Sequence, residues 1–254
     1  MPEYERIEVF LGVYVRCLAF FGVGPLLADR KIPMQVKALL ALATAMALFP
    51  ALPRHSWVFE KTLLGLALLL GREVLLGAAL GLVASLVFTG VKAAGELLGI
   101  QMGLSIASVF DPAESGQTSL IAELQGLLAV LLFLLVDGHH AILRALAYSL
   151  EQVPPGGGLD PAALAAAVVP MAGSVFLMTL QIGAPVLGAL FLTDAALGFV
   201  ARAVPQMSVF IVGIPLKIGI GILLMVVTTP LFATLLNQHF NRLGPQLIKI
   251  LSGM

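Results

Sequence analysis

Residues 62–89 read TLLGLALLLGREVLLGAALGLVASLVFT. About 20 apolar residues in helical form cross the hydrocarbon core of a bilayer, and this run is long enough to span with tilt. Its only charges, Arg72 and Glu73, are adjacent. Neighbours in sequence do not face each other on a helix, so the two cannot pair together and each needs a partner elsewhere. Gly77, Gly81, Ser85 and Thr89 follow at steps of four, and Gly95, Gly99, Gly103 and Ala107 repeat that step further on. Such spacing keeps small side chains on one helix face, where a second helix can approach closely. The stretch reads as a membrane-type helix packed against other helices.

The same reading extends outward to five more apolar regions, 7–28, 36–52, 120–136, 162–192 and 209–236. The chain of 254 residues is 59% hydrophobic and 11% charged, with a mean hydropathy of +1.04. A water-soluble domain of this length needs far more polar surface, so lipid or other apolar helices are the solvent for much of it. The expected fold is all-α: polytopic, membrane-associated helical hairpins with kinked helices, in a single domain over 1–254. Pro170 and Pro185 in the fifth region, and Pro215 and Pro230 in the sixth, each free a backbone carbonyl that neighbouring protein or water must satisfy. PPGGGLDP at 154–161 is the clearest break, with no soluble domain on either side.

Charge excludes some functions. Fourteen basic residues balance fourteen acidic ones, so no basic field recruits nucleic acid. Cys17 is the only cysteine, which leaves no intramolecular disulfide and no cysteine metal cluster. The N-terminus MPEYERIEVF lacks the basic front of a signal peptide, and its first apolar segment reads as a retained helix. Arg6, Arg54, Lys61, Arg144, Arg242 and Lys249 fall on one side of the membrane by helix counting, and Arg30, Lys31, Lys37, Lys92 and Arg202 on the other. That near balance gives no orientation, and a protein held mainly by partner proteins needs none.

Charge inside the apolar regions is the more pointed signal. Arg16 lies mid-way in the first region, Arg72 and Glu73 in the third, Glu96 beyond it, Glu123 at the start of the fourth and Lys217 inside the sixth. A charge at the bilayer centre costs about 2.5–3.5 kcal/mol on insertion scales. Buried pairing between helices is the expected remedy for Arg16, Arg72 and Glu73. Lys217 can also snorkel, and Arg72 can cap a short helix.

Catalytic patterns of the HExxH, GxSxG and Walker types are absent from the sequence. Asp137-Gly138-His139-His140 is the one cluster that invites a chemical reading. Adjacent histidines diverge on a helix, which argues against joint metal binding; a proton relay or a polar cap ending the fourth helix are the readings left. The segment GIQMGLSIASVFDPAESGQTS at 99–119 is rich in Gly and Ser, carries Asp111-Pro112, and contrasts with the apolar runs around it.

Three blocks carry a family resemblance: GELLGIQMGLSIASVFDP (95–112), FLLVDGHHAILRALAYSLEQVPPG (133–156) and ARAVPQMSVFIVGIPLKIGIGI (201–222). With Arg16 and Pro25, IPMQVK (32–37) and REVLLGAALG (72–81), they resemble the FliR family of the flagellar type III protein export gate, whose injectisome homologues are similar. Ser208 stands where that family has Asn. The resemblance implies a non-catalytic subunit, without cofactor or metal, in the bacterial inner (cytoplasmic) membrane at the flagellar basal body. It implies FliP-like and FliQ-like gate partners, with FlhB-like and FlhA-like export proteins beside them, and a channel for unfolded protein export substrates. It also implies a pore plug loop, which here falls on Gly103, Leu104, Ser105, Ile106, Ala107, Ser108, Val109, Phe110, Asp111 and Pro112. Small residues there give backbone freedom, and Ile106, Val109 and Phe110 give an apolar patch able to seal a narrow pore. Two other readings remain from the residues alone. One is a self-contained secondary transporter, since broken helices with buried charge mark transporters too. The other is an intramembrane enzyme using Asp137, His139 and His140.

Overall fold

The computed structural model describes residues 3–25, 32–52, 62–104, 119–158, 160–203 and 209–252. They form seven α-helices: α1 (Glu3–Val23), α2 (Met34–Leu48), α3 (Leu63–Met102), α4 (Leu120–Leu135), α5 (Gly138–Gln152), α6 (Pro161–Ala203) and α7 (Val209–Ser252). A short 3-10 turn, Phe49–Ala51, follows α2, and no strand occurs among the described residues. The fold is all-α.

Helix ends follow local chemistry. Pro161 opens α6, where its missing N–H is not needed. Before it, Asp160 Oδ1 accepts a hydrogen bond from the Ala162 N–H at 2.9 Å. α3 runs well past the expected end at 89, to Met102. Lys92 and Glu96 are good helix formers, and Gly95 turns towards a neighbouring backbone, so nothing in 90–102 breaks the helix. Gly103 does, at φ 82. Its N–H donates to Ile100 O and the Leu104 N–H donates to Gly99 O, each at 3.0 Å, the double bond of a Schellman C-cap.

Two more boundaries depart from the apolar reading. α5 was not among the six regions because it is amphipathic: Ile142, Ala145, Leu146, Ser149 and Leu150 are buried and its other face is polar. α7 continues past 236 for the same reason, with Leu236, Phe240, Leu243 and Leu247 buried at helical spacing. Three helices are long and apolar enough to cross a membrane: Leu63–Met102, Pro161–Ala203 and Ile211–Ile248. The chain covers 56% of the most apolar part of the first but only 11% of the third, so α7 offers an apolar face for something else to cover.

The residues gather into two compact units, Met1–Leu86 with Val136–Gly173 and His239–Met254, and Val87–Leu135 with Ser174–Gln238. In the first, α1 and α3 pack in parallel at steps of four. A Cβ on Gly12 would meet Glu73 Cγ at 3.7 Å, one on Gly77 would collide with Arg16 O, and one on Gly81 would lie 2.6 Å from Phe20 O. Phe10 and Phe49 meet edge-on at 5.5 Å. In the second unit, Leu98, Met102, Ile121, Val186 and Leu190 form the core, and Phe88 meets Phe133 edge-on at 5.4 Å. Gly95 lies directly against the backbone of Ala122.

Glycine substitutions separate close approach from open helix. Gly95→Val should destabilise the purified chain by about 1–3 kcal/mol through overpacking. Gly173→Ala, where an added Cβ meets nothing within 4 Å, should leave stability unchanged or raise it by up to about 1 kcal/mol. Melting temperatures in detergent read both; equal shifts would refute the close packing at Gly95.

Candidate functional site

Two buried charges of the first unit, Arg16 and Glu73, belong to one network. Arg16 is fully buried, and its Nε donates to Glu73 Oε2 at 2.6 Å. Nη1 donates to Ser149 O at 2.8 Å and approaches Ser149 Oγ at 3.3 Å. Nη2 donates to Val153 O at 2.8 Å. Ser149 O, which also accepts the Val153 N–H at 3.0 Å, and Val153 O lie at the C-terminal end of α5, where the helix dipole favours a cation. The guanidinium thus satisfies a carboxylate on α3 and a helix end on α5 from a single position on α1.

Arg72, beside Glu73, is exposed. The buried pairing expected for it is not found among the described residues, because a one-residue step turns its side chain away from α1. Glu123 is likewise exposed at the start of α4. Glu96 is half-buried and its Oε1 accepts the Ser119 N–H at 3.0 Å. That bond ties Ser119, just before α4, back to α3.

The second unit has its own ion pair. Lys217 Nζ on α7 lies 2.9 Å from Asp194 Oδ1 on α6, with their side chains 18% and 38% exposed. Gln101 Nε2, one residue before the end of α3, donates to Asp194 Oδ2 at 2.8 Å. Asp194 and Gln101 were missed in the sequence, although Asp194 is its last acidic residue and sits in an otherwise apolar helix. Ser149 and the carbonyl of Val153 carry no such signal. Thr179 Oγ1 adds a buried bond from α6 to Gly90 O at 3.2 Å.

A cavity of about 340 Å³ in this unit is lined by apolar side chains of α3, α4, α6 and α7. Gln125 lies in its wall, and its buried Oε1 has no hydrogen-bond partner. Gly99 is buried near the end of α3. Of the segment matched to the plug, Gly103 and Leu104 cap α3, whereas Ser105, Ile106, Ala107, Ser108, Val109, Phe110, Asp111 and Pro112 lie outside the described residues.

Asp137, His139 and His140 do come together. One donor atom from each lies within 4.8 Å of the others. Asp137 has a left-handed φ of 56 and makes no side-chain cap bond. The two imidazole rings lie 4.1 Å apart rather than splayed.

Long apolar helices, fastened to one another by ion pairs and close glycine contacts, define a polytopic helical membrane protein. The sequence pattern of the family described as "Bacterial export proteins, family 1" matches residues 7–243, and the chain belongs to that family. The resemblance seen in the sequence holds at that level. A protein of Escherichia coli K12 named flagellar biosynthetic protein FliR is 33% identical over 247 residues, 97% of this chain and 94% of that one. The protein of that name from Bacillus subtilis 168 is 34% identical over 243 residues, 93% and 92% of the two chains. That from Pectobacterium carotovorum is 31% identical over 247 residues, 97% and 94%.

The Arg16 network predicts unequal effects from two adjacent residues. Glu73→Leu leaves a buried guanidinium without its carboxylate and should cost about 3–5 kcal/mol. Arg72→Leu, at an exposed position, should stay within about 0.5 kcal/mol. Thermal melting of the two purified variants checks this; equal losses would show that the pairing of Arg16 does not carry the fold.

Proposed function

We propose that this chain is a non-catalytic subunit of the flagellar type III export gate in the bacterial inner membrane. It forms part of the channel for unfolded export substrates and assembles with FliP-like and FliQ-like subunits, next to FlhB-like and FlhA-like export proteins. The carrying observation is the near full-length identity to proteins named flagellar biosynthetic protein FliR. Helix length supports it: α3, α6 and α7 have 40, 43 and 44 residues. Straight helices of that size measure roughly 60–66 Å, about twice the 30 Å hydrocarbon core. Lipid alone does not cover such helices, and partner helices do. The exposed Ile211, Leu223, Val226 and Val227 on α7 offer the apolar face for that contact.

In this reading the segment from Gly103 to Pro112 is the plug. Gly103 ends α3 with a tight cap, so the apolar patch at Ile106, Val109 and Phe110 follows directly from a fixed helix end. An apolar constriction closes a narrow pore by dewetting.

Co-expression with neighbouring FliP-like and FliQ-like genes, mild extraction and native mass spectrometry test the assembly. The expected result is one copy of this chain with several copies of each partner. A lone monomer or homo-oligomer beside well-expressed partners would overturn it and favour a self-contained transporter. Deleting 106–112 should make the assembled gate leak small ions in planar bilayers; unchanged conductance would remove the plug assignment.

A further inference from the structure

We propose that Asp137, His139 and His140 at the start of α5 form a binding site for a divalent first-row transition-metal ion. The inference goes beyond the gate reading and does not depend on it, because all three side chains belong to this chain.

The donor set is suited to the task. Two imidazoles and a carboxylate favour ions such as zinc, cobalt, nickel or copper over calcium and magnesium, which prefer oxygen alone. Three protein donors leave a coordination position for water or a further ligand.

The geometry is close to what such an ion needs. Bonds of about 2.0–2.1 Å in a tetrahedral site place donor atoms about 3.3 Å apart. Here the three donors lie within 4.8 Å of one another. The side chains of Asp137 and His140 are 76% and 59% exposed, so both are free to rotate the remaining distance. His139 is half-buried and supplies the fixed ligand.

Two further observations concern unmet demand. His139 Nδ1 is buried without a hydrogen-bond partner, and an orphaned buried nitrogen calls for a water or an ion. Asp137 occupies the N-cap position of α5 yet makes no cap bond. An aspartate there ordinarily accepts a backbone N–H of the first turn. Its Oδ1 instead lies 3.2 Å from His140 Nδ1. The carboxylate is thus turned to the imidazoles, where it offsets the repulsion that a helix N-terminus exerts on a cation.

Adjacent histidines in mid-helix would splay. Here, in the first turn of α5, the two rings nevertheless lie 4.1 Å apart.

The test uses the full chain with a tag that contains no histidine, purified in mild detergent and stripped of metal by a chelator. Co²⁺ is titrated in and followed by ligand-field absorption in the visible, with Zn²⁺ as competitor. One Co²⁺ per chain, displaced by Zn²⁺, is the expected result. Asp137→Asn, which tolerates the left-handed backbone, and His140→Ala, at an exposed position, should each weaken binding by about tenfold or more. His239→Gln, on α7, should leave it unchanged. Absence of the absorption bands, or binding by both cluster variants as tight as by the unaltered chain, would overturn the site; melting temperatures confirm that each variant is folded.

Discussion

A single guanidinium sets the arrangement of the first unit. Arg16 has no exposed surface, and an unpaired charge in that position would cost several kcal/mol. Its bonds to Glu73, Ser149 and Val153 therefore act as a constraint: α1, α3 and α5 must meet at one point, in one register. A slip of one residue on α3 would put Arg72 against α1 in place of Glu73, setting two like charges together where the structure has opposite ones. The network has little intrinsic net strength, since desolvation offsets much of its attraction. What it supplies is specificity of packing among helices whose apolar faces would otherwise accept many registers.

The glycines make that meeting possible. Glu73, Gly77 and Gly81 lie on one face of α3, opposite Gly12, Arg16 and Phe20 of α1. With no Cβ at Gly77, the two backbones come close enough for Arg16 to reach Glu73. The charge pair and the small-residue row are thus one device, in which the row sets the distance and the pair sets the register. Gly95 against Ala122 and Thr179 against Gly90 bring helices together in the second unit by similar means, with Asp194 and Lys217 as the local charge pair.

Much of this was legible in the sequence, and the rest was hidden for definite reasons. Apolar runs located all the helices except α5, because hydropathy over a spanning length reports transfer to lipid. α5 and the last turns of α7 are amphipathic, so that measure passes over them while a 3.6-residue periodicity would find them. The reach of α3 to Met102 was signalled by the four-residue spacing of Gly95 and Gly99 but not by hydropathy, because Lys92, Glu96 and Gln101 lower it beyond residue 89. The buried charges were visible; most of their partners were not. Glu73 and Arg16 were both conspicuous as charges in apolar helices, but Arg16 is also bound by the backbone carbonyls of Ser149 and Val153, and carbonyl positions leave no trace in residue identity. Asp194 was within reach, as the sole carboxylate available to Lys217 beyond residue 160.

The Arg16 network also imposes an order on biosynthesis. Glu73 follows Arg16 by 57 residues and Val153 follows it by 137. At about 5–20 residues per second, roughly 3–11 s separate the emergence of Arg16 from that of its carboxylate, and roughly 7–27 s from that of the α5 helix end. Through that interval Arg16 is without the carboxylate and the carbonyls that compensate its charge, a state that burial penalises. The final packing of α1 therefore requires α3, and is complete only with α5. The register of the first helix is settled by residues made long after it.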